Sequence, residues 1–296
     1  MKINILLPVF NDWESLNLLL KDIEKKINFS TIDITIIDDC STLDPVVYEG
    51  FSKLKIKIII LKNNVGSQKA INIGLKYLEE NNVYFDYCII MDSDGEDKAE
   101  DLKILLNIAK GNKGKIIFAS RGKREDGFVF YFLYKIYLFF FYIFTGANIN
   151  FGNFSCIPKE KINEIIKLKN SRIHHSASIL RSNLPYKKVM CNRGKRFMGK
   201  SKMSLNNLVL HGLNGMAIFF EIILVRFLIF LVSTVSLSGI FIASFITLKA
   251  NNFIGIFSWI NSNPISFVFL FILLILIIFL IFLKILNIKI NNLNGT

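Results

Sequence analysis

The chain has 296 residues, 52% of them hydrophobic and 13% aromatic, with a formal net charge of +13. That length allows one soluble domain of ordinary size and something more. The basic surplus is local: 20 of the 23 Asp and Glu lie in residues 1–126, and 165–220 holds none while Lys and Arg accumulate, a stretch that leads straight into long apolar runs and so fits anionic lipid rather than nucleic acid.

Short β-branched runs predict strands at 3–7, 33–38, 57–61, 87–91 and 115–119. Helical patterns between them cover 12–27, 66–80 and 98–110. Apolar strands separated by helices mean an α/β domain with a mostly parallel sheet covered on both faces. Ligands of such sheets bind beyond the C-terminal strand ends. Polar motifs stand at those ends: "PVFND", "DDCS", "NNVGSQKA" and "DSDGED".

The fourth of these is the most charged. Asp92 and Asp94 flank one residue at a strand exit, so both carboxylates can reach one hard divalent ion. Mg²⁺ or Mn²⁺ is the expected cofactor, completed by substrate phosphates. Glu96, Asp97, Glu100 and Asp101 read as acids capping the helix that follows.

Beyond the strands, "GFVFYFLYKIYLFFFYIFTG" (127–146) approaches a membrane span in length, but Lys135 and several tyrosines interrupt it. A helix lying in the membrane interface fits better. Residues 204–226 read as a juxtamembrane helix, with Glu221 and Arg226 near headgroups or pairing with another subunit of a homo-oligomer. Two uncharged runs, 227–248 and 265–283, are long enough to cross a bilayer. The loop 249–264 carries only Lys249, and Lys284 and Lys289 follow in the tail 284–296. That bias predicts both ends inside, a multi-pass protein of the cell membrane with a cytoplasmic catalytic domain. "MKINILLPVFNDWE" meets Asp12 before an apolar run develops, so no signal peptide is expected. The four cysteines are scattered without a Cys-x-x-Cys pair and read as free thiols of a reducing compartment.

The ordered set "LLPVFND", "IIDDCS", "NNVGSQKAINIGL" and "MDSDGED" resembles the family 2 glycosyltransferases of GT-A fold. "SRGKRED" (120–126), "FGNFSCI" (151–157) and "RGKRFMGKSKMS" (193–204) extend the likeness to their polyprenyl-phosphate branch. That branch includes dolichol-phosphate mannosyltransferases and bacterial undecaprenyl-phosphate sugar transferases. The likeness covers residues 1–226, with a cytoplasmic catalytic domain over 1–203.

The resemblance implies roles. Pro8 and Asn11 would line the nucleotide pocket, and Asp39 would contact base or ribose. Asp38 reads either as a partner in this or as a structural acid. Gly66 and Ala70 would be scaffold. Arg121 and Arg124 would face phosphate. Arg193, Arg196, Ser201 and Lys202 would form a basic loop closing over the donor or acceptor phosphate. Lys195 and Lys200 would face lipid headgroups. The chain departs from the branch at Glu96–Glu100, where Gln and Pro-Pro-Glu are usual, and at Gly152–Ser155, where Gly-Asp-Phe-Arg is common. These changes bear on the sugar and the acceptor contacts.

The implied reaction is inverting transfer of a sugar from a UDP- or GDP-linked donor to undecaprenyl or dolichyl phosphate. Transfer to a hydroxyl needs a base, and 127–159 has no acid while 165–220 has none either. A phosphate acceptor needs no base, only cations. Two other readings stay open: transfer to a hydroxyl of a lipid-linked saccharide with His174 or His175 as base, and a silent membrane scaffold of the same fold. Surface or loop positions are expected for the two histidines.

Overall fold

The computed structural model describes residues 1–27, 31–48, 50–121, 128–199, 205–250 and 264–294. In chain order its elements are β1 (Ile3–Val9), α1 (Trp13–Lys26), β2 (Ile32–Asp38), β3 (Leu54–Ile60), α2 (Ser67–Glu80), β4 (Tyr87–Ile90) and α3 (Asp101–Gly111). Then follow β5 (Ile116–Arg121), α4 (Phe128–Thr145), β6 (Phe151–Pro158), α5 (Lys159–Lys167), α6 (His175–Arg181) and β7 (Tyr186–Cys191). The chain continues through α7 (Leu205–Ala217), α8 (Phe220–Ala250) and α9 (Pro264–Asn294).

Seven strands form one sheet in the order β3-β2-β1-β4-β6-β5-β7. All neighbours pair in parallel except at β6, which runs antiparallel to β4 and β5. The central strand β1 is buried along its whole length. Its side chains alternate between faces, as the pleat requires. Ile5 and Leu7 join Leu16, Leu19, Leu20 and Ile23 of α1 and Leu102, Leu105 and Leu106 of α3 on one face. Leu6 meets Ile71, Leu75 and Leu78 of α2 on the other. The α1 set repeats at helical spacing, and each buried leucine contributes roughly 1.5–3 kcal/mol.

The antiparallel strand matters for function. Because β6 runs against its neighbours, its first residues, Phe151, Gly152 and Asn153, lie at the edge where the other strands end. Strand propensity predicts neither β6 nor β7. β6 carries Gly, Asn and Ser, which disfavour strands, and it is held by burial between β4 and β5.

Helix α3 starts at Asp101 instead of the predicted residue 98, because residues 93–97 are spent on a turn. The predicted juxtamembrane helix is not continuous. It breaks at Ile218–Phe219, where the Ile218 carbonyl accepts from Arg181 Nη1, and residues 220–226 form the first turns of α8. Glu221 and Arg226 pair within the chain: Glu221 with Arg181 at 2.6 Å, and Arg226 Nη1 with the Ile143 carbonyl at 3.0 Å. A third cluster, built on Phe141, Met216, Phe219, Ile223, Phe279 and Leu286, joins α4, α7, α8 and α9 to one another, to Ala177 of α6 and to Ile173 just before it.

Among the described residues one helical stretch, Phe220–Ile240, is long and apolar enough to cross a membrane, with a mean hydropathy of 2.2. The predicted second span falls inside α9, whose described apolar stretch, Ile272–Asn287, is shorter. The loop 249–264 lies almost entirely outside the described residues.

Candidate active site

Three loops, at the ends of β1 and β2 and at the entry to α2, are tied together by side chains. Asn11, at φ +52, has its Oδ1 accepting from Thr42 N (2.8 Å) and Leu43 N (3.3 Å), while its own N–H donates to Ser41 Oγ at 2.9 Å. Asp38 Oδ1 accepts from Ser41 N at 2.9 Å, a bond that fits a structural acid at the strand end. Asp39 is buried and uses both oxygens, accepting from Val65 N (2.7 Å) and Gly66 N (2.8 Å). Burial raises its pKa, and these two bonds oppose the rise. Asp39 therefore joins the second loop to the third. Gly66, at φ +84, precedes α2 in a backbone conformation suited to glycine. Pro8 is buried inside β1, paired with Ile37 of β2.

The fourth loop carries the acids. Asp92 N donates to Asp97 Oδ2 at 2.9 Å, and Glu96 N donates to Asp94 Oδ1 at 3.0 Å. Asp97 thus braces the turn, Glu96 pairs with Arg193, and Glu100 pairs with Lys26. No side chain caps α3 at Glu100, so the expected capping role is replaced by bracing. Only Asp101 stands in its first turn, buried, with its pKa raised by desolvation.

Asp92, Glu96, Asp97 and Asp101 line a crevice with Ser120, Gly152 and Asn153 from the sheet edge. Cys191, Asn192 and Arg193 close it. Its room is about 20 Å³, space for a single water. The Cys191 thiol, pushed up to about 12 by burial and then by Asp101 and Asp97, stays protonated and is a poor ligand or nucleophile.

The basic loop lies on the carboxylate turn. Gly194 N donates to the Glu96 carbonyl (2.8 Å) and Phe197 N to the Asp94 carbonyl (3.0 Å). The Phe197 ring covers Gly95, at φ +85, so closely that no Cβ would fit there. Arg196 Nη1 donates to Asp94 Oδ2 at 2.9 Å, and its Nη2 pairs with Asp12. So the structure brings Asp92, Asp94, Arg193 and Arg196 together, while Asn11 and Asp39 organise the neighbouring loops. Asp12, Asn153 and Phe197 are site residues that motif reading passes over. The signal for Asp12 is its place one residue beyond Asn11 at a strand exit. Arg124, Ser201 and Lys202 lie outside the described residues, as does the side chain of Arg121 at the end of β5.

A second, larger space of about 360 Å³ opens beside the crevice. Leu133, Ile136 and Tyr137 of α4, Leu208, Val209 and Leu213 of α7, and Phe151 of β6 make it apolar. Gly152 lines both spaces, so they are neighbours at the start of β6. His174 and His211 stack on its wall with ring centroids 4.4 Å apart.

The two adjacent histidines are buried, against the expected surface position. His174 caps α6, its Nδ1 accepting from Ala177 N at 3.3 Å. His175 lines neither space; its N–H donates to Gln68 Oε1 at 2.7 Å, and its ring Nε2 is buried without a partner among the described residues. Burial lowers its pKa from 6.5 to about 4. The neutral ring is the folded form, so this stabilisation is complete above the unfolded pKa and disappears as pH falls from about 6.5 to about 4. The gap amounts to about 3 kcal/mol. Thermal unfolding of the purified protein should therefore drop between about pH 7 and about pH 4.5, and His175→Leu should flatten that drop. An unchanged acid slope in the variant would contradict the assignment.

The family model described as glycosyl transferase family 2 matches residues 4–183. The chain belongs to that family. It is 25% identical over 257 residues to the uncharacterized glycosyltransferase sll0501 of Synechocystis, covering 84% of this chain and 78% of the relative. It is 31% identical over 120 residues to the uncharacterized protein MJ0544 of Methanocaldococcus jannaschii, covering 39% of this chain and 50% of the relative. With the putative glycosyltransferase CsbB of Bacillus subtilis it shares 24% identity over 224 residues, covering 73% and 66%. The chain thus spans only half to two-thirds of the length of those last two.

Among solved structures, the mannosyltransferase PcManGT of Pyrobaculum calidifontis, in complex with GDP-Man and Mn²⁺, superposes with a TM-score of 0.50 at 11% identity, covering 74% of this chain and 63% of that one. Glucosyl-3-phosphoglycerate synthase of Mycobacterium tuberculosis, with Mn²⁺, UDP and glucosyl-3-phosphoglycerate, gives 0.50 at 13%, covering 75% and 79%. At such identities the likeness is one of fold, the GT-A fold.

Proposed function

We propose that this chain is a membrane-anchored, metal-dependent inverting glycosyltransferase that moves a sugar from a UDP- or GDP-linked donor to a polyprenyl phosphate. The observation that carries the reading is that two unlike spaces share Gly152 as a lining residue, a carboxylate- and arginine-lined crevice and an apolar cavity walled by α4 and α7. The side of α4 away from the cavity exposes Phe132, Phe139, Phe140, Tyr142 and Ile143. An apolar face of that kind suits a helix lying in the interface of a bilayer. A lipid chain could then enter the cavity from the membrane while its phosphate reached the crevice.

Asp92 and Asp94 would hold Mg²⁺ or Mn²⁺. The donor set fits: the carboxylates are hard ligands, and Asp94 already accepts a cationic group, the Arg196 guanidinium. Among the described residues no three carboxylate, imidazole or thiol groups gather closely enough to hold an ion alone, so phosphate oxygens would complete the set. Such an ion offsets charge on the departing nucleoside diphosphate.

The protein's own part is positioning and charge. The lipid phosphate oxygen bonds to the anomeric carbon as the bond from that carbon to the nucleoside diphosphate breaks on the opposite face. Arg193, Arg196 and Lys202 would offset repulsion between the two phosphate-bearing substrates, with Arg121 and Arg124 beside them. Anchoring would rest on two crossings, 227–248 and 265–283, with the catalytic domain in the cytoplasm. Transfer to a hydroxyl would need a base; His175 lines neither space, and His174, which lines the apolar cavity, has its Nδ1 engaged in capping α6.

The test is direct. Membranes containing the protein are offered a panel of UDP- and GDP-sugars with undecaprenyl phosphate, and lipids are analysed by mass. The expected product is polyprenyl phosphate heavier by one sugar residue, with nucleoside diphosphate released. Sugar appearing only on free polyprenol or on lipid-linked saccharides would refute the phosphate-acceptor reading.

A further inference from the structure

The crevice has almost no room because the segment after β7 lies across it, fastened to the carboxylate turn at several points. Its centre is Arg196. The guanidinium spans two carboxylates from distant parts of the chain, Asp94 Oδ2 at 2.9 Å and Asp12, while its Nε donates to the Met198 carbonyl at 3.0 Å. The three side chains are only 14–16% exposed, so these ion pairs are stronger than exposed ones. Asp12 occupies the N-cap position of α1 yet makes no capping hydrogen bond. An Asp there ordinarily accepts from the first helical amides. Here the carboxylate is used on Arg196 instead.

We propose that Asp12 is a positioning residue: with Asp94 it parks Arg196 on the carboxylate that the metal needs, and the divalent ion binds as this latch lifts. The inference rests on the reading of Asp94 as a metal ligand. The same movement that uncovers Asp94 also withdraws the Phe197 ring from Gly95 and releases Arg193 and Arg196 toward substrate phosphates. Uptake of metal and opening of the substrate crevice are then one event. The apparent metal affinity is the intrinsic affinity multiplied by the fraction of molecules with the latch lifted.

This gives a sign that plain electrostatics does not. Removing the Asp12 carboxylate takes a negative charge from beside the site, which by itself weakens cation binding. If Asp12 instead holds the latch shut, its removal strengthens binding. Mn²⁺ alone is titrated, without nucleotide, into the full-length protein in lipid nanodiscs, and free Mn²⁺ is followed by electron paramagnetic resonance. Arg196→Gln should bind Mn²⁺ roughly tenfold more tightly than wild type, the scale of one lost charge-assisted contact. Asp12→Asn should also bind more tightly, by roughly threefold to tenfold. Asp94→Asn should abolish the site. As a second readout on the unaltered protein, Mn²⁺ should speed trypsin cleavage after Arg193 and Arg196. Equal or weaker binding in Asp12→Asn, with a site still lost in Asp94→Asn, overturns the latch and leaves the metal reading intact. Trypsin cleavage insensitive to bound Mn²⁺ counts against the latch as well. If neither wild type nor Arg196→Gln shows a Mn²⁺ site that depends on Asp94, the metal reading fails and the latch with it.

Discussion

Asp94→Asn should reduce sugar transfer about a thousandfold while leaving the protein folded and in the membrane. The substitution keeps the shape of the side chain and removes its charge. Asp94 Oδ1 braces the turn by accepting from Glu96 N, a bond the Asn carbonyl can still make. The lost ion pair with Arg196 is largely shielded from solvent, so the expected stability cost is about 1.5–3 kcal/mol, small enough to leave a folded protein. The cost in rate would be larger, because a divalent ion held by Asp94 would offset several kcal/mol of charge on the leaving diphosphate, at roughly 1.4 kcal/mol per tenfold. Excess chelator should reproduce the loss in the wild type, and added Mn²⁺ or Mg²⁺ should reverse it. Initial rates and the melting temperature measured on the same preparation separate the two effects. Activity within tenfold of wild type, in the variant or in excess chelator, would remove Asp94 from the chemistry.

Part of this arrangement is legible in the sequence. The strands at 3–7, 33–38 and 87–91 stand out because parallel strands buried on both faces need unbroken apolar runs, and the motifs at their exits follow from that. Propensity does not mark 151–158 as a strand, since Gly152, Asn153 and Ser155 sit there only because β4 and β5 close on both sides. That strand places Gly152 beside both spaces, so their adjacency is equally hidden. Asp97 and Glu96 look like helix caps by spacing, yet the turn that carries them ends before α3 begins. The bridge from Arg196 to Asp12 spans 184 positions, and no local pattern encodes a pairing of that length. His174 and His175 look like loop residues because the adjacent Ser, Ala and Arg are polar or small; their burial comes from α2 and α7 packing over them.

The apolar cavity supplies the second large effect. If it takes the lipid chain, filling it should cost affinity for long-chain acceptors and nothing else. Val209 lines the cavity from α7 and is 60% exposed, and Leu133 faces it from α4 at 50% exposed, so an indole at either position threatens folding little. Val209→Trp combined with Leu133→Trp places two rings in a space of about 360 Å³. Excluding roughly 100 Å² of lipid surface from burial forfeits about 2.5 kcal/mol, which is close to a hundredfold in affinity. The expected result is kcat/KM for undecaprenyl phosphate lowered by up to about a hundredfold, mostly through KM. Two comparisons keep this specific. Slow hydrolysis of the nucleotide sugar to water, which needs no acceptor, should proceed at the wild-type rate. A short-chain prenyl phosphate, too small to fill the cavity, should lose far less than the long one. Wild-type KM for the long-chain acceptor in the double variant would place the lipid elsewhere on the protein, and an equal loss for both chain lengths would mean that the rings disturb the crevice instead of the cavity.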